Sequence, residues 1–304
     1  MKAKYIKELY RNINELSGDR LDILSHAFKT FSEARAAESA ASLAYYAMFS
    51  LFPLLLLFIA AGSYFLDSSQ VYETVTQLLQ QVIPASTRII NENLREVLDE
   101  RETVGLIGLA ALLWSASGVF TNLAYNINLA WPQAARRTFL QRRLMGLRMI
   151  LWLSGLFILS IVLDWLSRLL SLVYSAGVSF SDLSLWRLFS GVASWLTAFM
   201  LFFALYRWVP AVYVRWRAGF WGAIFASTAW KAATTGFAWF LTSGLGRYQL
   251  VYGSLGAVVA LLFLIYLISA ITLFGAHLSA AIDAWLDQKI RAAQTAGSTS
   301  WPVI

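Results

Sequence analysis

Lys231 is the residue of this sequence whose position is hardest to explain by packing alone. It lies near the middle of an apolar run at 220–243, far from either end. If this run crosses a membrane as a helix, a charge at its centre costs roughly 2.5–3.5 kcal/mol, which makes the residue a functional candidate. Ser227, Thr234 and Thr235 lie one helical turn away and predict a polar stripe. One interpretation is a cation that binds anions or couples to protons and faces a cavity; the other is a lysine satisfied by carbonyls and hydroxyls of neighbouring helices.

Two asparagines form a second polar group. Asn122 and Asn126 are one helical turn apart in the apolar run at 104–130. In membrane helices, asparagine side chains join helices through hydrogen bonds worth about 1 kcal/mol. The pair therefore fits two roles, fastening helices together or lining a polar pathway.

Three further side chains lie near the ends of apolar runs. Glu38 precedes the first run, where the positive end of a helix dipole stabilises an acid; the alternative is that it pairs with Lys231 or a loop arginine and gates the inner mouth. Tyr45 follows about two turns later. His277, at the end of the last run, can change charge near neutral pH, although a lone histidine at a helix end is more often only a boundary residue.

Catalytic and metal-binding patterns do not occur in the sequence. There is no G-x-x-x-x-G-K-[ST] loop, so the chain carries no P-loop ATPase of its own. It has no cysteine and two histidines, which excludes thiolate metal sites and leaves too few ligands for a His-rich metallonuclease. We therefore expect no enzymatic activity, no metal and no cofactor.

Six long apolar runs position these polar residues. Hydrophobic residues make up 59% of the chain and charged residues 13%, about half the charged share of a typical soluble domain. About 20 mostly apolar residues cross the roughly 30 Å hydrocarbon core as a helix, in which every backbone group is paired. We predict an all-α polytopic membrane protein with six transmembrane helices, at approximately 42–66, 104–130, 148–178, 187–209, 220–243 and 252–278.

Basic residues collect on alternate sides of these runs. The connection at 131–148 has five arginines and no acidic residue, whereas 67–103 has seven acidic residues and three basic ones. Since short loops rich in Lys and Arg stay in the cytoplasm, we predict a plasma (inner) membrane protein with both termini cytoplasmic (N-in/C-in). This topology explains the net charge of +7 without nucleic acid, and membrane lipids are the expected partners.

The topology divides the chain into three parts. Residues 1–41 form a cytoplasmic segment in which 20–37 has the spacing of an amphipathic helix; that helix lies either in the headgroup plane or against the cytoplasmic ends of the bundle. Residues 42–281 form the transmembrane domain, with an outer cap of short amphipathic helices at 67–103. Residues 282–304 form a cytoplasmic tail.

The last two runs and the tail carry two further signals. Small residues at four-residue spacing predict close contact between these runs: Gly222 and Ala226 in one, Gly275 and Ser279 in the other. The Ala-, Thr- and Ser-rich segment after Ile290 is expected to be disordered.

Several motifs together carry a family resemblance. The chain enters the first run as Glu38-Ser-Ala-Ala-Ser-Leu-Ala-Tyr45-Tyr46, and the second run contains Asn122-Leu-Ala-Tyr-Asn126. The last run opens with Tyr252-Gly-Ser-Leu-Gly256 and closes with Leu273-Phe-Gly-Ala-His277. From about residue 30 to 285 the chain resembles the YihY/BrkB inner-membrane family. That family usually has Gly-Ala-Glu near the end of its last span, and here His277 stands in the acid's place.

The resemblance implies a six-span inner-membrane protein whose activity is not settled. Members have been called virulence factors, and the family also has an older name, ribonuclease BN. The residues here do not support that label, because a nuclease needs clustered carboxylates or histidines.

Our leading hypothesis is a transporter or permease-like protein for a small ion or an amphipathic anion such as a lipid. Lys231 would hold negative charge, while Glu38 or His277 would exchange protons at the inner mouth. The route would be lined by Asn122, Asn126, Tyr45 and Tyr252. The alternative is a non-enzymatic membrane scaffold or an envelope-assembly or virulence-associated factor, in which the polar residues only fasten helices.

Overall fold

The protein is described by a computed structural model that covers residues 20–62, 101–135, 137–152, 154–155, 183–242 and 256–298. No strand occurs within these ranges, which confirms the all-α prediction for them. The helices are α1 (Arg20–Glu33), α2 (Ala36–Gly62), α3 (Arg101–Leu129), α4 (139–152), α5 (Leu183–Trp208), α6 (Trp216–Thr242) and α7 (Gly256–Ser298).

Five predicted runs coincide with described helices, namely α2, α3, α5, α6 and α7. Of the described residues, one segment, Val258–Ala292, is long and apolar enough to cross a membrane, and its most apolar stretch of 18 residues has a mean hydropathy of 2.6. A shorter apolar helical stretch covers Trp195–Trp208. Most of the third run, Tyr252 and nearly all of the predicted outer cap lie outside the described residues. Six spans and cytoplasmic termini therefore stay predictions.

The predicted amphipathic helix is present as α1, but it ends at Glu33 rather than at residue 37. The backbone N–H of Ala34 donates to the carbonyl oxygen of Thr30 at 3.0 Å, which closes the last turn. Arg35 then has a φ of 49°. This is the left-handed region, which non-glycine residues seldom adopt outside turns and helix ends. The chain thus changes direction over two residues before α2 begins.

One face of α1 packs on α7. Ala27 is fully buried beside Leu278. The rings of Phe28 and Phe31 lie 4.7 and 5.6 Å from the ring of Phe274, centroid to centroid. Of the two placements considered for this helix, the structure shows packing against the bundle. Phe28 nevertheless keeps 63% of its surface exposed, so α1 also presents an apolar side chain outward.

The core lies where α2, α3, α5, α6 and α7 meet, and α6 and α7 approach most closely at small residues. A Cβ atom built on Gly222 would lie 2.8 Å from the Cβ of Ser279 and 2.9 Å from the carbonyl oxygen of Gly275. Such distances leave room for glycine alone. The predicted contact between the last two runs is confirmed.

The prediction of disorder after Ile290 is wrong as far as Ser298, because α7 continues to that residue. Residues 291–298 include three alanines, one arginine and one glutamine, which favour helix. Asp287 and Arg291 also form an i,i+4 ion pair, with 2.8 Å between Oδ2 and Nη2. The boundary drawn at residue 281 therefore falls inside a continuous helix.

Candidate functional site

His277 lies on the buried side of α7, with 2% of its surface exposed. Its Nδ1 is 3.1 Å from the hydroxyl oxygen of Thr30 in α1, and its ring meets Phe31 edge-on at 5.8 Å. The Thr30 hydroxyl donates to the carbonyl oxygen of His26, at 3.0 Å. Whichever group donates, a direct hydrogen bond joins Nδ1 of His277 to the Thr30 hydroxyl. The contact fastens α1 to α7.

Arg215 joins the connection between α5 and α6 to the C-terminal part of α7. Its Nη1 lies 3.3 Å from Oδ1 of Asp283, and its Nη2 lies 2.5 Å from Oδ1 of Asp287. The backbone N–H of Arg215 also donates to Asp283, at 3.2 Å. Hydrogen bonding to Asp287 raises the pKa of Arg215 above its ordinary value, opposed by burial and assisted by Asp283. A pocket of about 300 Å³ lies beside this cluster, with Gln133 and Tyr213 in its wall.

Sequence reasoning missed this cluster, although a signal was present. Asp283 and Asp287 are four residues apart, so they share one face of a helix. Asp283 is 6% exposed, and a buried carboxylate requires a cation or several hydrogen-bond donors. The spacing therefore predicts a basic partner, but not that the partner is Arg215.

The two asparagines selected from the sequence do meet. Nδ2 of Asn126 donates to the carbonyl oxygen and to Oδ1 of Asn122, both at 2.9 Å, within α3. Another asparagine of α3 connects separate parts of the chain. Oδ1 of Asn128 accepts the backbone N–H of Ala211 at 2.7 Å, and its Nδ2 donates to the carbonyl oxygen of Ala135 at 3.4 Å.

The stripe expected around Lys231 is divided between two sides of α6. Ser227 is fully buried and Thr234 is half-buried, and each donates to a carbonyl oxygen of α6 itself. Lys231 is exposed, and so are Thr228 and Thr235, one turn before and after it. The lysine therefore shares its face of the helix with these two threonines.

The remaining selected residues lie apart from one another. Glu38 is in the first turn of α2, as the helix-dipole interpretation requires, and its carboxylate is 3.8 Å from the guanidinium of Arg35. Both side chains are exposed. Tyr45 is 59% exposed and packs on the ring of Phe49, with centroids 4.7 Å apart. Tyr252 lies outside the described residues.

No three His, Asp or Glu side chains of the described ranges lie close enough together to hold a metal ion. The contacts above join helix to helix or side chain to backbone, as required where water cannot satisfy a polar group. Within the described ranges the fold is all-helical, and one helix is long and apolar enough to cross a membrane. Several buried polar side chains are bonded within the protein, whereas Nε1 of Trp131, Nε of Arg142 and Arg143, and Oγ of Ser279 have no hydrogen-bond partner in this part of the chain.

Comparison with known proteins specifies the family. Residues 27–299 match the family model of virulence factor BrkB, and the chain belongs to this family of integral membrane proteins. A ribonuclease-like protein of Bacillus subtilis, YfkH, is 26% identical over 234 residues, which cover 76% of this chain and 84% of YfkH. A UPF0761 membrane protein of Aliivibrio salmonicida is 28% identical over 245 residues, or 78% of this chain and 76% of that protein.

A third relative is longer than this chain. A UPF0761 membrane protein of Alkalilimnicola ehrlichii is 28% identical over 251 residues, covering 80% of this chain but 54% of the relative. No solved structure matches the chain. The match to the BrkB family model confirms the resemblance to the YihY/BrkB family.

Proposed function

We propose that this protein is a transport-type protein of the plasma membrane, with six spans and both termini in the cytoplasm. It moves or gates a small ion or an amphipathic anion, and it does so without an ATPase of its own. The exposed position of Lys231 in the middle of α6 is the observation that carries this proposal.

The depth of Lys231 follows from helix geometry. At 1.5 Å per residue, it lies about 22 Å from the first residue of α6 and about 16 Å from the last. A hydrocarbon core of roughly 30 Å therefore leaves an exposed ammonium group at this position far from bulk water. Holding it there costs free energy unless an anion or an aqueous route reaches the same depth.

Neighbouring groups extend a polar surface from Lys231. Thr228 and Thr235 lie on the same exposed face, one turn to either side. The Thr228 hydroxyl accepts a hydrogen bond from the indole N–H of Trp195 in α5, at 3.4 Å. In the proposed mechanism, Lys231 attracts negative charge and the threonine hydroxyls solvate it. Glu38 or His277 would exchange protons at the inner mouth, and the route would be lined by Asn122, Asn126, Tyr45 and Tyr252.

Reconstitution into vesicles tests the proposal. The probes are a fluorescent phosphatidylglycerol, followed between leaflets by dithionite quenching, and chloride, followed by an ion-selective electrode. We expect the wild-type protein to move at least one probe, Lys231→Met to slow it by about tenfold or more, and Lys231→Arg to retain most of the rate. Arg217→Met removes an exposed charge outside the apolar run and serves as the matched control.

Two results would refute this function. One is a correctly folded Lys231→Met variant that moves both probes at the wild-type rate. The other is a wild-type protein that moves neither probe faster than protein-free vesicles.

A second candidate function is a membrane scaffold or a virulence-associated assembly factor, and a separate observation favours it. The hydroxyl of Tyr206 in α5 donates to the carbonyl oxygen of Thr272 in α7 at 2.9 Å, and His277 is bonded to Thr30. These contacts fasten helices and leave little polar capacity for a substrate. If cells that produce a variant lacking 70–102 show the same defect as cells without the protein, whereas cells that produce Lys231→Met behave like wild type, the scaffold function is favoured.

A further inference from the structure

A second pocket, of about 350 Å³, lies at the arginine-rich connection between α3 and α4. It is formed by residues that the proposed transport route does not use. The polar part of its wall consists of Arg137, Gln141 and Arg148. The apolar part includes Leu144, Met145 and Ala211.

The sequence builds this pocket by fixing the start of α4. The backbone N–H of Thr138 donates to Oε1 of Gln141 at 3.0 Å, and the backbone N–H of Gln141 donates to the Thr138 hydroxyl at 3.4 Å. This reciprocal pair is a capping box, which sets where the helix begins. Gln141, Leu144, Met145 and Arg148 then follow at positions i, i+3, i+4 and i+7, so they line one face of α4.

Arg137 and Arg148 place two positive charges at the pocket without an acidic partner among the described residues. The segment 131–148 itself contains no acidic residue. Burial lowers the pKa of Arg137, and the charge of Arg148 lowers it further, as expected for two cations that share one site. A bound anion would remove this repulsion.

The neighbouring arginines have partners of another kind. The guanidinium of Arg143 lies over the ring of Trp114 at 4.2 Å, and that of Arg142 lies over Tyr125 at 5.3 Å. Such cation–π contacts hold these two side chains against α3. Arg137 and Arg148 are therefore the pair placed to bind a ligand.

An apolar surface continues from the pocket along α4. Leu151 and Trp152 follow Arg148 at i+3 and i+4 and are 74% and 44% exposed. The ring of Trp152 packs on Trp208 of α5, with centroids 4.8 Å apart. A ligand with a charged head and an apolar tail fits the arginine-containing pocket and the adjoining apolar surface better than a free anion does.

We propose that Arg137 and Arg148 bind the phosphate of an anionic phospholipid headgroup, in the leaflet that the 131–148 connection faces, with an acyl chain along Leu151 and Trp152. Each planar guanidinium presents paired N–H donors that match two phosphate oxygens. Gln141 lines the same pocket. The site is independent of Lys231, so it stands whether or not the protein transports a substrate.

Native mass spectrometry of the full-length protein in detergent tests the site. Phosphatidylglycerol and phosphatidylcholine are titrated separately, and inorganic phosphate is added as a competitor. We expect phosphatidylglycerol to bind the wild-type protein more tightly than phosphatidylcholine. Arg137→Gln and Arg148→Gln should each weaken phosphatidylglycerol binding by roughly tenfold or more, while Arg217→Gln, which removes a charge outside the pocket, leaves it unchanged.

Three outcomes would overturn the proposal. Equal weakening by Arg217→Gln would show general charge attraction, and equal affinity for the two lipids would show that the phosphate-binding arginines do not select the headgroup. Displacement of the lipid by an equal concentration of inorganic phosphate would assign the pocket to a free anion. If a glutamine variant does not fold, Arg137→Lys and Arg148→Lys keep the charge but lose the planar fork, and unchanged binding in both would equally count against the site.

Discussion

Replacing Gly222 with alanine measures how tightly α6 and α7 are packed. The added methyl group would lie 2.9 Å from the carbonyl oxygen of Gly275 and 2.8 Å from the Cβ of Ser279. Neither atom is the end of a flexible side chain, so the two helices must separate to admit it. Because Ser279 is fully buried and both helices pack against others, the shift spreads into the core.

The size of the effect follows from two opposing terms. Overpacking a close-packed core by one methyl group typically costs about 1–3 kcal/mol. Alanine also favours helix over glycine by about 1 kcal/mol, which partly offsets that cost. Gly236 in the same helix has no atom within 4 Å of a built Cβ. Gly236→Ala therefore gains the higher helix propensity of alanine without the cost of overpacking. The difference between the two variants therefore isolates the overpacking cost.

Thermal unfolding in detergent, followed by tryptophan fluorescence, provides the measurement. We expect the Tm of Gly222→Ala to fall below that of Gly236→Ala by roughly 2–5 °C. Equal Tm values for the two variants would show that α6 and α7 are not in contact at Gly222, and the packing described for this part of the core would then be wrong.

Three further predictions concern the polar contacts between helices. Gly275→Ala should destabilise the protein because its methyl group meets the Tyr206 hydroxyl, and Tyr206→Phe, which costs about 1 kcal/mol alone, should restore only part of the stability in that background, since Cζ of residue 206 and Cβ of Ala226 stay 3.0 Å from that methyl group. Thr30→Val and His277→Gln should each cost about 1 kcal/mol, and the double variant should cost less than their sum. Arg215→Gln should cost about 1–3 kcal/mol, because it leaves a buried carboxylate of α7 without its cation. All are read from unfolding midpoints.

Matched variants control these measurements. Arg217→Gln removes an exposed arginine two residues from Arg215 and should leave the midpoint within about 0.5 kcal/mol of wild type. Ser25 lies on the exposed side of α1. The change in unfolding midpoint caused by Ser25→Ala is therefore the reference with which that of Thr30→Val is compared. Additive losses for Thr30 and His277 would contradict a direct bond between them.

Contacts set by local spacing could be predicted from the sequence. Asn122 and Asn126 meet because residues four apart share a helix face, and that geometry does not depend on the rest of the fold. The contact of Gly222 with α7 follows from the small residues of both runs, because close approach of helices requires them.

Contacts that depend on helix rotation could not be predicted. By spacing, Lys231 is one helical turn from both Ser227 and Thr235. The small residues of α6 turn Ser227 toward the core, whereas Lys231 and Thr235 stay exposed. The bond between Thr30 and His277 joins residues 247 positions apart, which no local pattern encodes. A change from apolar to polar composition after 278 marks where a span could end, but it does not end a helix, so the continuation of α7 was missed.

The packing of α1 on α7 has a consequence for the order in which the protein is assembled. Synthesis proceeds from the N-terminus, so α1 leaves the ribosome long before α7 exists. During this interval the apolar side chains of Ala27, Phe28 and Phe31 lack the helix on which they pack in the finished protein. An amphipathic helix in this state can rest on the bilayer surface. We therefore expect α1 to leave the bilayer surface when α7 is inserted and packs against it.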